Sequence, residues 1–363
     1  MTSSPFPYHG PLDPVEVVGR RDLRRDLAER IVDRRLTALL GPRRYGKTSV
    51  LKRVAADLHD VGPEVVWLDF FELNSMADLA GAIDRGLAST RGPLRNLLET
   101  VAGGASLRIG TLGVELSREK RHRPDPVVAA RTLVQVLVEA ATRRDLFLVI
   151  DEFAGVANVK GAAGLLRTEL QHHYRTLGIV FAGSQPSTMR MLFEDQEQPF
   201  FAQADLIEIG PMSTADVLEL VETGFEATQR SAGVVGTRIA GFTAGHPQRS
   251  MQLADAAWRR TEPAATADLA VWEAALDDVR RSVDSASERL YELLDPGEQR
   301  TLRALASGGS IYGTMADVLD LKPGTASAAL GRLRGRGFVH EVDEADALVD
   351  PLLADWIRRR FPI

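Results

Sequence analysis

Segment 41–49, GPRRYGKTS, has a residue pattern suited to holding a chain of phosphates. It satisfies GxxxxGK[ST] in full and lies between an apolar run, LTALL, and an amphipathic helical stretch. Glycines let the backbone approach closely enough for successive N–H groups to point at phosphate oxygens, and the following helix adds positive potential at its N-terminus. The residues expected to contact the nucleotide are Gly41, Pro42, Arg43, Arg44, Tyr45, Gly46, Lys47, Thr48 and Ser49.

Two side chains of this segment are expected to act directly on a magnesium nucleotide. Lys47 would neutralise oxygens of the β- and γ-phosphates, and the Thr48 hydroxyl would be a ligand of Mg²⁺. The alternative is a glycine-rich turn that matches the pattern by chance. The strand and the helix predicted on either side favour phosphate binding.

A pair of carboxylates, Asp151 and Glu152, ends the apolar run LFLVI. A magnesium-nucleotide site needs a carboxylate for the metal and a base that orients the attacking water. Adjacent residues at a strand end point to opposite sides, so we expect Asp151 to serve the metal and Glu152 to act as general base. A solvated pair of strand-end carboxylates is the alternative.

Ser184 ends a later apolar run, LGIVFAGS. Open α/β sheets bind ligands beyond the carboxyl ends of their strands, so Ser184 is expected beside the acidic pair. There it would sense the γ-phosphate or position the water, and we count it among the catalytic residues. A role as a helix N-cap or turn residue stays open.

Five apolar runs alternate with helical stretches and position these residues: LTALL, EVVWLDF, LFLVIDEF, LGIVFAGS and DLIEIG. This alternation predicts an α/β P-loop NTPase fold with a five-stranded parallel sheet that is covered on both faces. The pattern breaks between Arg91 and Pro126, where alternating apolar residues shift by one position near Gly110. A hairpin insertion at about 91–126 would explain that shift.

From Pro211 onward the strand-like runs give way to helical ones. The last segment reads as helix, helix, helix and two-stranded wing, the order of a winged helix. With 363 residues the chain exceeds the usual size of one core. We therefore predict a core at 1–210, an all-α lid at 211–290 and a winged-helix domain at 291–363.

Composition limits the chemistry and the location of the protein. The chain has no cysteine, which excludes disulfides, thiolate metal sites and cysteine nucleophiles. No signal-like or membrane-spanning apolar stretch is visible, so we expect a cytoplasmic protein without membrane contact. The net charge of −6 gives no overall attraction to nucleic acid.

With VGR, GPRRYGKTS, VIDEF, FAGS and GHP in this order, the chain resembles the archaeal-type P-loop ATPases of the AAA+/STAND superclass, distant relatives of origin-recognition ATPases. The resemblance spans about residues 11–363. It implies an AAA+ core, a helical lid and a C-terminal winged helix. It also implies that ATP or ADP binds together with Mg²⁺.

The resemblance assigns further nucleotide contacts outside the phosphate segment. Val18 and Gly19 would line the adenine base, and Pro247 would pack near it from the lid. Arg249 would act as a second sensor that reaches the γ-phosphate.

Members of this family often carry an arginine before the last strand, where this chain reads PFFAQAD. Because such a group contributes about 10³ to 10⁵ in rate, we expect slow basal hydrolysis. Arg175, Arg190 or a neighbouring subunit would supply a substitute.

The C-terminal segment admits two kinds of partner. Its predicted recognition helix carries groups suited to DNA, whereas the wing, EVDEADALVD, is acidic and would repel phosphates. We therefore favour a nucleotide-dependent switch that acts through a protein partner or self-association, with a DNA-binding ATPase as the alternative and a scaffold with structural ATP as a third reading. The candidate DNA contacts are Lys322, Thr325, Ser327, Arg332, Arg334 and Arg336.

Overall fold

The computed structural model describes residues 3–59, 62–104, 108–110, 125–342 and 345–363. They form two compact units. The sheet unit comprises 22–41 and 47–209, and the helical unit comprises 1–21, 42–46 and 210–363. Of the predicted hairpin segments, LRIG at 107–110 and LGVEL at 112–116, only residues 108–110 are among the described residues.

The sheet unit is built on five parallel strands in the order β2-β3-β4-β1-β5. Every residue of β1, β3 and β4 is buried, which follows from their continuous apolar runs. The predicted five-stranded parallel sheet is confirmed. The strands are β1 (Thr37–Leu40), β2 (Glu64–Asp69), β3 (Leu146–Asp151), β4 (Leu177–Gly183) and β5 (Asp205–Glu208).

Helices alternate with these strands. The first of them is α1, Arg21–Val32, whose Leu27 and Ile31 are buried at helical spacing. A short 3-10 helix, Phe153–Asn158, follows β3 directly. The others are α2 (Lys47–Asp57), α3 (Met76–Ser89), α4 (Gly92–Gly104), α5 (Pro126–Arg143), α6 (Ala162–Leu170) and α7 (Pro186–Glu194).

Helix α4 occupies the start of the segment in which a hairpin insertion was predicted. Leu94, Leu98 and Ala102 recur every four residues and bury one face of this helix, while the predicted hairpin strands lie further along the chain. The sequence interpretation rested on the alternation further along and overlooked this periodicity.

The helical unit contains two hydrophobic cores. One lies mainly between 212 and 279 and includes Phe6 and Leu352, and the other lies between 291 and 357. The segments predicted as lid and winged helix thus fall within one compact unit. Its helices are α8 (Thr214–Glu226), α9 (Val235–Thr243), α10 (Pro247–Arg260), α11 (Leu269–Glu292), α12 (Pro296–Ala306), α13 (Thr314–Val318) and α14 (Pro323–Gly335).

An antiparallel pair, β6 (Val339–Val342) and β7 (Ala345–Leu348), follows α14. The chain then forms α15, Pro351–Arg360, which the sequence interpretation did not include. Asp350 caps this helix and Pro351 occupies its first turn, a start signal visible in the sequence. Within the described ranges, none of the helices combines the length and apolar character that a bilayer crossing requires.

Candidate nucleotide-binding site

Strand β1 leads into the glycine-rich segment at Gly41. A Cβ at this position would lie 2.4 Å from Cγ2 of Ile209, so the close approach admits only glycine. Lys47, the first residue of α2, is buried and its Nζ donates a hydrogen bond to the Gly41 carbonyl at 2.8 Å. The lysine is therefore held at the start of the helix, where anions are stabilised.

The turn between these residues has backbone conformations typical of a phosphate loop. Arg44 and Gly46 adopt positive φ of 67° and 86°. The Gly46 position is open, so its glycine is favoured by the backbone conformation alone. Ser49, buried in α2, belongs to the sheet unit, and Pro42 and Arg43 belong to the helical unit.

The sheet unit brings Thr48 and Asp151 together across 103 positions of the sequence. The Thr48 Oγ1 donates to Oδ2 of Asp151 at 2.6 Å, and Oδ1 of Asp151 accepts from the Glu152 amide at 3.0 Å. Burial raises the pKa of Asp151, although the Thr48 hydrogen bond opposes this effect. A hydroxyl beside a carboxylate is the hard-oxygen set that Mg²⁺ prefers.

Glu152 and Ser184 form a second contact at this edge. The Ser184 Oγ and amide donate to Oε2 of Glu152 at 2.7 and 3.3 Å. Glu152 adopts a left-handed conformation with φ of 50°, which costs energy for a residue with a side chain. Its carboxylate is thus held by Ser184, whose side chain is buried.

A third carboxylate at the same edge was missed by the sequence interpretation. Asp69 ends β2 and is directly opposite Asp151 in the parallel register. It is exposed, and its charge contributes to the raised pKa of Asp151. The signal was present, because Asp69 ends an apolar run just as Asp151 does.

The helical unit places the VGR segment against the start of α8. A Cβ at Gly19 would lie 2.7 Å from the Asp216 carboxyl carbon, and Gly19 has φ of 74°, so glycine is required here. Val18 is half-buried against the first helical core. Arg20, which we did not select as a site residue, donates from Nη2 to the Gly210 carbonyl at 2.8 Å, and burial lowers its pKa to about 10.

Tyr45 connects the glycine-rich segment to two histidines of the helical unit. It is buried, its hydroxyl lies 3.3 Å from Nε2 of His340 in β6, and its ring packs edge-on against His246 with centroids 5.1 Å apart. Burial lowers the pKa of His246 to about 4, so this histidine is neutral at pH 7. It caps α10, whose first residue is Pro247.

Arg249, the residue that the resemblance assigns as a sensor, is engaged by a carboxylate. Its Nε donates to Oδ1 of Asp350 at 3.0 Å, and its Nη2 pairs with Oδ2. Its Nη1 donates to Gln252 at 2.6 Å. The arginine side chain is 11% exposed, so this is a largely buried bidentate pair.

Two arginines were considered as substitutes for the arginine that the PFFAQAD segment lacks, and they lie in different environments. Arg190 pairs with Glu208 and lies 3.9 Å from Glu194, whereas Arg175 is exposed. In the PFFAQAD segment, Phe200 is buried in a cluster of aromatic rings with centroids 4.6–5.8 Å apart: Phe153, Phe181, Phe193 and Phe200. Hydrophobic packing of Phe200 therefore holds this segment in place.

The arginines of α14 and its C-terminal end are neutralised within the helical unit. Arg332 and Arg336 both reach Glu298, at 3.2 and 3.1 Å. Arg334 lies 2.7 Å from Asp346 of β7. Three of the four cations predicted to contact DNA are thus bound to carboxylates of the same unit, the fourth being Lys322.

Comparisons with known proteins place the fold. No protein-family model and no curated protein matches the chain. The Walker-type ATPase PABY2304 of Pyrococcus abyssi is 18% identical over 98% of this chain and 99% of its own, with a TM-score of 0.73. The ORC2 protein of Aeropyrum pernix, in its ADPNP-ADP complexes, is 14% identical over 98% of both chains, with a TM-score of 0.60. The chain therefore has the α/β P-loop NTPase fold of these proteins, followed by a helical region.

Proposed function

We propose that this protein is an ATPase that binds ATP or ADP with Mg²⁺ and acts as a nucleotide-dependent switch. The observation that carries the proposal is the hydrogen bond between Thr48 and Asp151, beside a buried Lys47. The sequence alone gives these residues in two distant motifs. Their meeting at one strand edge is what phosphate and metal binding require.

The residues present fit a magnesium nucleotide. Thr48 supplies a hydroxyl and Asp151 a carboxylate, both hard oxygen donors, while Lys47 supplies the charge that phosphates need. Bound Mg²⁺ would neutralise negative charge on the phosphates. Thr48 and Asp151 would hold the metal, and Val18, Gly19 and Pro247 are proposed to contact the base.

Glu152 is proposed as the general base for hydrolysis. Its carboxylate accepts the proton of a water that attacks the γ-phosphorus, and the bond to the β-phosphate oxygen breaks, which gives ADP and phosphate. Ser184 holds Oε2 of Glu152 at 2.7 Å, so it positions the base. We expect slow turnover, because Arg190 is engaged by Glu208 and buried Phe200 lies in the segment where the resemblance implies an arginine.

The helical unit is proposed to deliver the output through a protein partner or self-association. We assign residues 211–290 to a lid and 291–363 to a winged-helix module, in line with the two hydrophobic cores. The STAND-type switch is favoured over DNA binding because Arg332, Arg334 and Arg336 are paired with carboxylates. Phosphate binding by these arginines would require breaking those pairs.

The test is a titration of a fluorescent ATP analogue with Mg²⁺ against wild type, Lys47→Ala and Lys52→Ala. Lys52 is on the same helix and serves as the matched control. Loss of binding in Lys47→Ala alone supports the proposal. Equal binding by all three proteins contradicts it.

The switch is tested by light scattering with ADP and with a non-hydrolysable ATP analogue. A change of oligomeric state or of partner binding with the ATP analogue alone supports it. Identical behaviour with both nucleotides would instead indicate a scaffold in which ATP is structural.

A further inference from the structure

A groove with a volume of about 240 Å³ opens at the surface of the sheet unit, beside the first turns of α5 and α6. Its apolar wall consists of Met76, Val127 and Leu165, and Val127 exposes 40% of its surface. Pockets that enclose a small ligand usually have about 300–1,000 Å³, so this smaller, open groove is better suited to one or two side chains of a protein. We call it the α5/α6 groove.

Two glycines at the start of α6 leave this groove open. Gly161 has a positive φ of 83°, which by itself favours glycine. Gly164 lies within the helix in an ordinary helical conformation, and a Cβ built there would meet no atom within 4 Å. Glycine is a poor helix former, and neither the backbone nor a neighbouring atom requires it at position 164. What the missing side chain provides is space in the groove.

The rim of the groove is positively charged. Lys160 is exposed there, and within the part of the chain that the structure describes no ion pair includes it. Arg131 lies at the same rim and is paired with Glu169 at 3.1 Å. The groove therefore combines an apolar wall with a lysine available to a carboxylate. This chemistry fits a protein segment in which a large apolar side chain stands next to an acidic one.

The chain itself carries such a segment, at the C-terminal end of α11 in the helical unit. Leu290 and Leu293 are 44% and 74% exposed and lie three positions apart on one helical face. Glu288 and Glu292 are exposed beside them, and no ion pair among the described residues includes either one. Arg289 offsets part of their charge, and the C-terminal end of the helix adds negative potential.

We propose that the α5/α6 groove of one copy of this protein receives the C-terminal end of α11 of a second copy. Leu293 packs against the apolar wall, and the Glu292 carboxylate faces Lys160. The contact joins two molecules through different surfaces, so it is a head-to-tail contact that can add further copies. The inference rests on the proposed function in one respect, since it names a surface for the self-association that the switch is proposed to use.

The test is sedimentation velocity of the full chain without nucleotide over a range of concentrations. Because the groove is small, we expect reversible association with a Kd on the order of 10–100 µM. Lys160→Glu places like charges together and should weaken association about tenfold or more. The double variant Lys160→Glu/Glu292→Lys should restore it, because the attraction returns with its sign exchanged. A wild type that stays monomeric, or a double variant that is not restored, would overturn the proposal and leave the groove to another protein partner.

Gly164→Leu tests the groove without a change of charge. Leucine is a better helix former than glycine and its Cβ has free space, so Tm should equal or exceed that of the wild type. Its side chain fills the groove, so association should be lost. Association equal to that of the wild type would contradict the proposal.

Arg91→Glu and Glu273→Lys are the matched controls for the charge reversals. Arg91 is exposed in the sheet unit, and Glu273 is exposed on α11. Both variants should associate like the wild type, and a loss equal to that of Lys160→Glu would show a general effect of charge and overturn the specific contact. Since all these measurements are made without nucleotide, their failure is distinct from failure of the proposed function, which the Lys47→Ala titration measures.

Discussion

The Thr48 hydroxyl donates a hydrogen bond to Asp151 at 2.6 Å, although 103 positions separate the two residues in the sequence. The contact exists because β1 and β3 are parallel strands of one sheet, with β4 between them, and their carboxyl ends meet at one edge. Thr48, at the start of α2, and the acidic pair after β3 are thereby brought together.

Glu152→Gln should separate nucleotide binding from hydrolysis. Glutamine keeps the length of the side chain and a carbonyl that can accept from Ser184, but it cannot take a proton from water. We expect at least a hundredfold loss of kcat with nearly unchanged ATP affinity, within the usual range for loss of a general base, about 10²–10⁴. Single-turnover hydrolysis and equilibrium binding measure the two effects.

Glu169→Gln serves as the control for that variant, since Glu169 bonds to Gln135 and Arg131 away from the acidic pair. Its kcat should equal that of the wild type. A wild-type kcat in Glu152→Gln would show that another group is the base.

Ser184→Ala tests positioning of the base. The variant removes a hydrogen bond at 2.7 Å from Oε2 of Glu152 but leaves the carboxylate in place. We expect kcat to fall by about five- to thirtyfold, which corresponds to about 1–2 kcal/mol, with KM almost unchanged. Ser184→Thr, which retains a hydroxyl, should recover part of the rate. If alanine and threonine behave alike, Ser184 has no positioning role.

Asp151→Asn should stabilise the nucleotide-free protein while it weakens Mg²⁺-dependent binding. Burial raises the pKa of Asp151 above its unfolded value, so stability is lost progressively as the pH rises from the unfolded pKa to the raised pKa, and the loss is complete above it. Asparagine removes this loss, because it is uncharged; its carbonyl oxygen can accept from the Glu152 amide and its NH2 group can donate to the Thr48 hydroxyl oxygen. The gain in Tm should therefore appear near neutral pH and vanish in acid, where Asp151 is protonated.

Asp205→Asn is a control for which the change in Tm near neutral pH should have the opposite sign. The hydrogen bond from Arg35 lowers the pKa of Asp205, so its charge adds stability above the unfolded pKa, and that stability is lost in acid. Thermal melts of both variants from about pH 4 to pH 8 measure the difference. A lower Tm for Asp151→Asn at neutral pH would contradict the prediction.

Much of the sheet unit was predictable because its strands and motifs are each marked by a short stretch of consecutive residues. The apolar runs identify β1, β3 and β4, whose residues are all buried, and the glycine-rich segment follows β1 directly. The pairing of strands is not local. Only the register β2-β3 shows that Asp69 lies opposite Asp151, although each residue is plainly visible at the end of its own run.

The helical unit was less predictable for a different reason. Its long-range ion pairs join residues that belong to no common sequence motif. Arg249 and Asp350, for example, are 101 positions apart. A sequence shows an arginine and an aspartate but gives no sign that they pair. The overlooked α4 and α15 are different, since their periodicity and start signals were available and were outweighed by the alternation read nearby.

Glu298→Gln tests whether the C-terminal arginines are free to meet DNA. Glu298 is buried, pairs with Arg332 and Arg336, and accepts from the Asp295 amide at 3.1 Å. Loss of its charge should lower the free energy of unfolding by about 1–3 kcal/mol. It should also release positive charge at the end of α14.

In a mobility assay with salt titration, we expect the wild type to show no steeply salt-dependent DNA binding and Glu298→Gln to show a weak gain in DNA binding. Wild-type binding that falls steeply with salt would instead favour the DNA-binding ATPase, because such a slope counts phosphates neutralised by the protein.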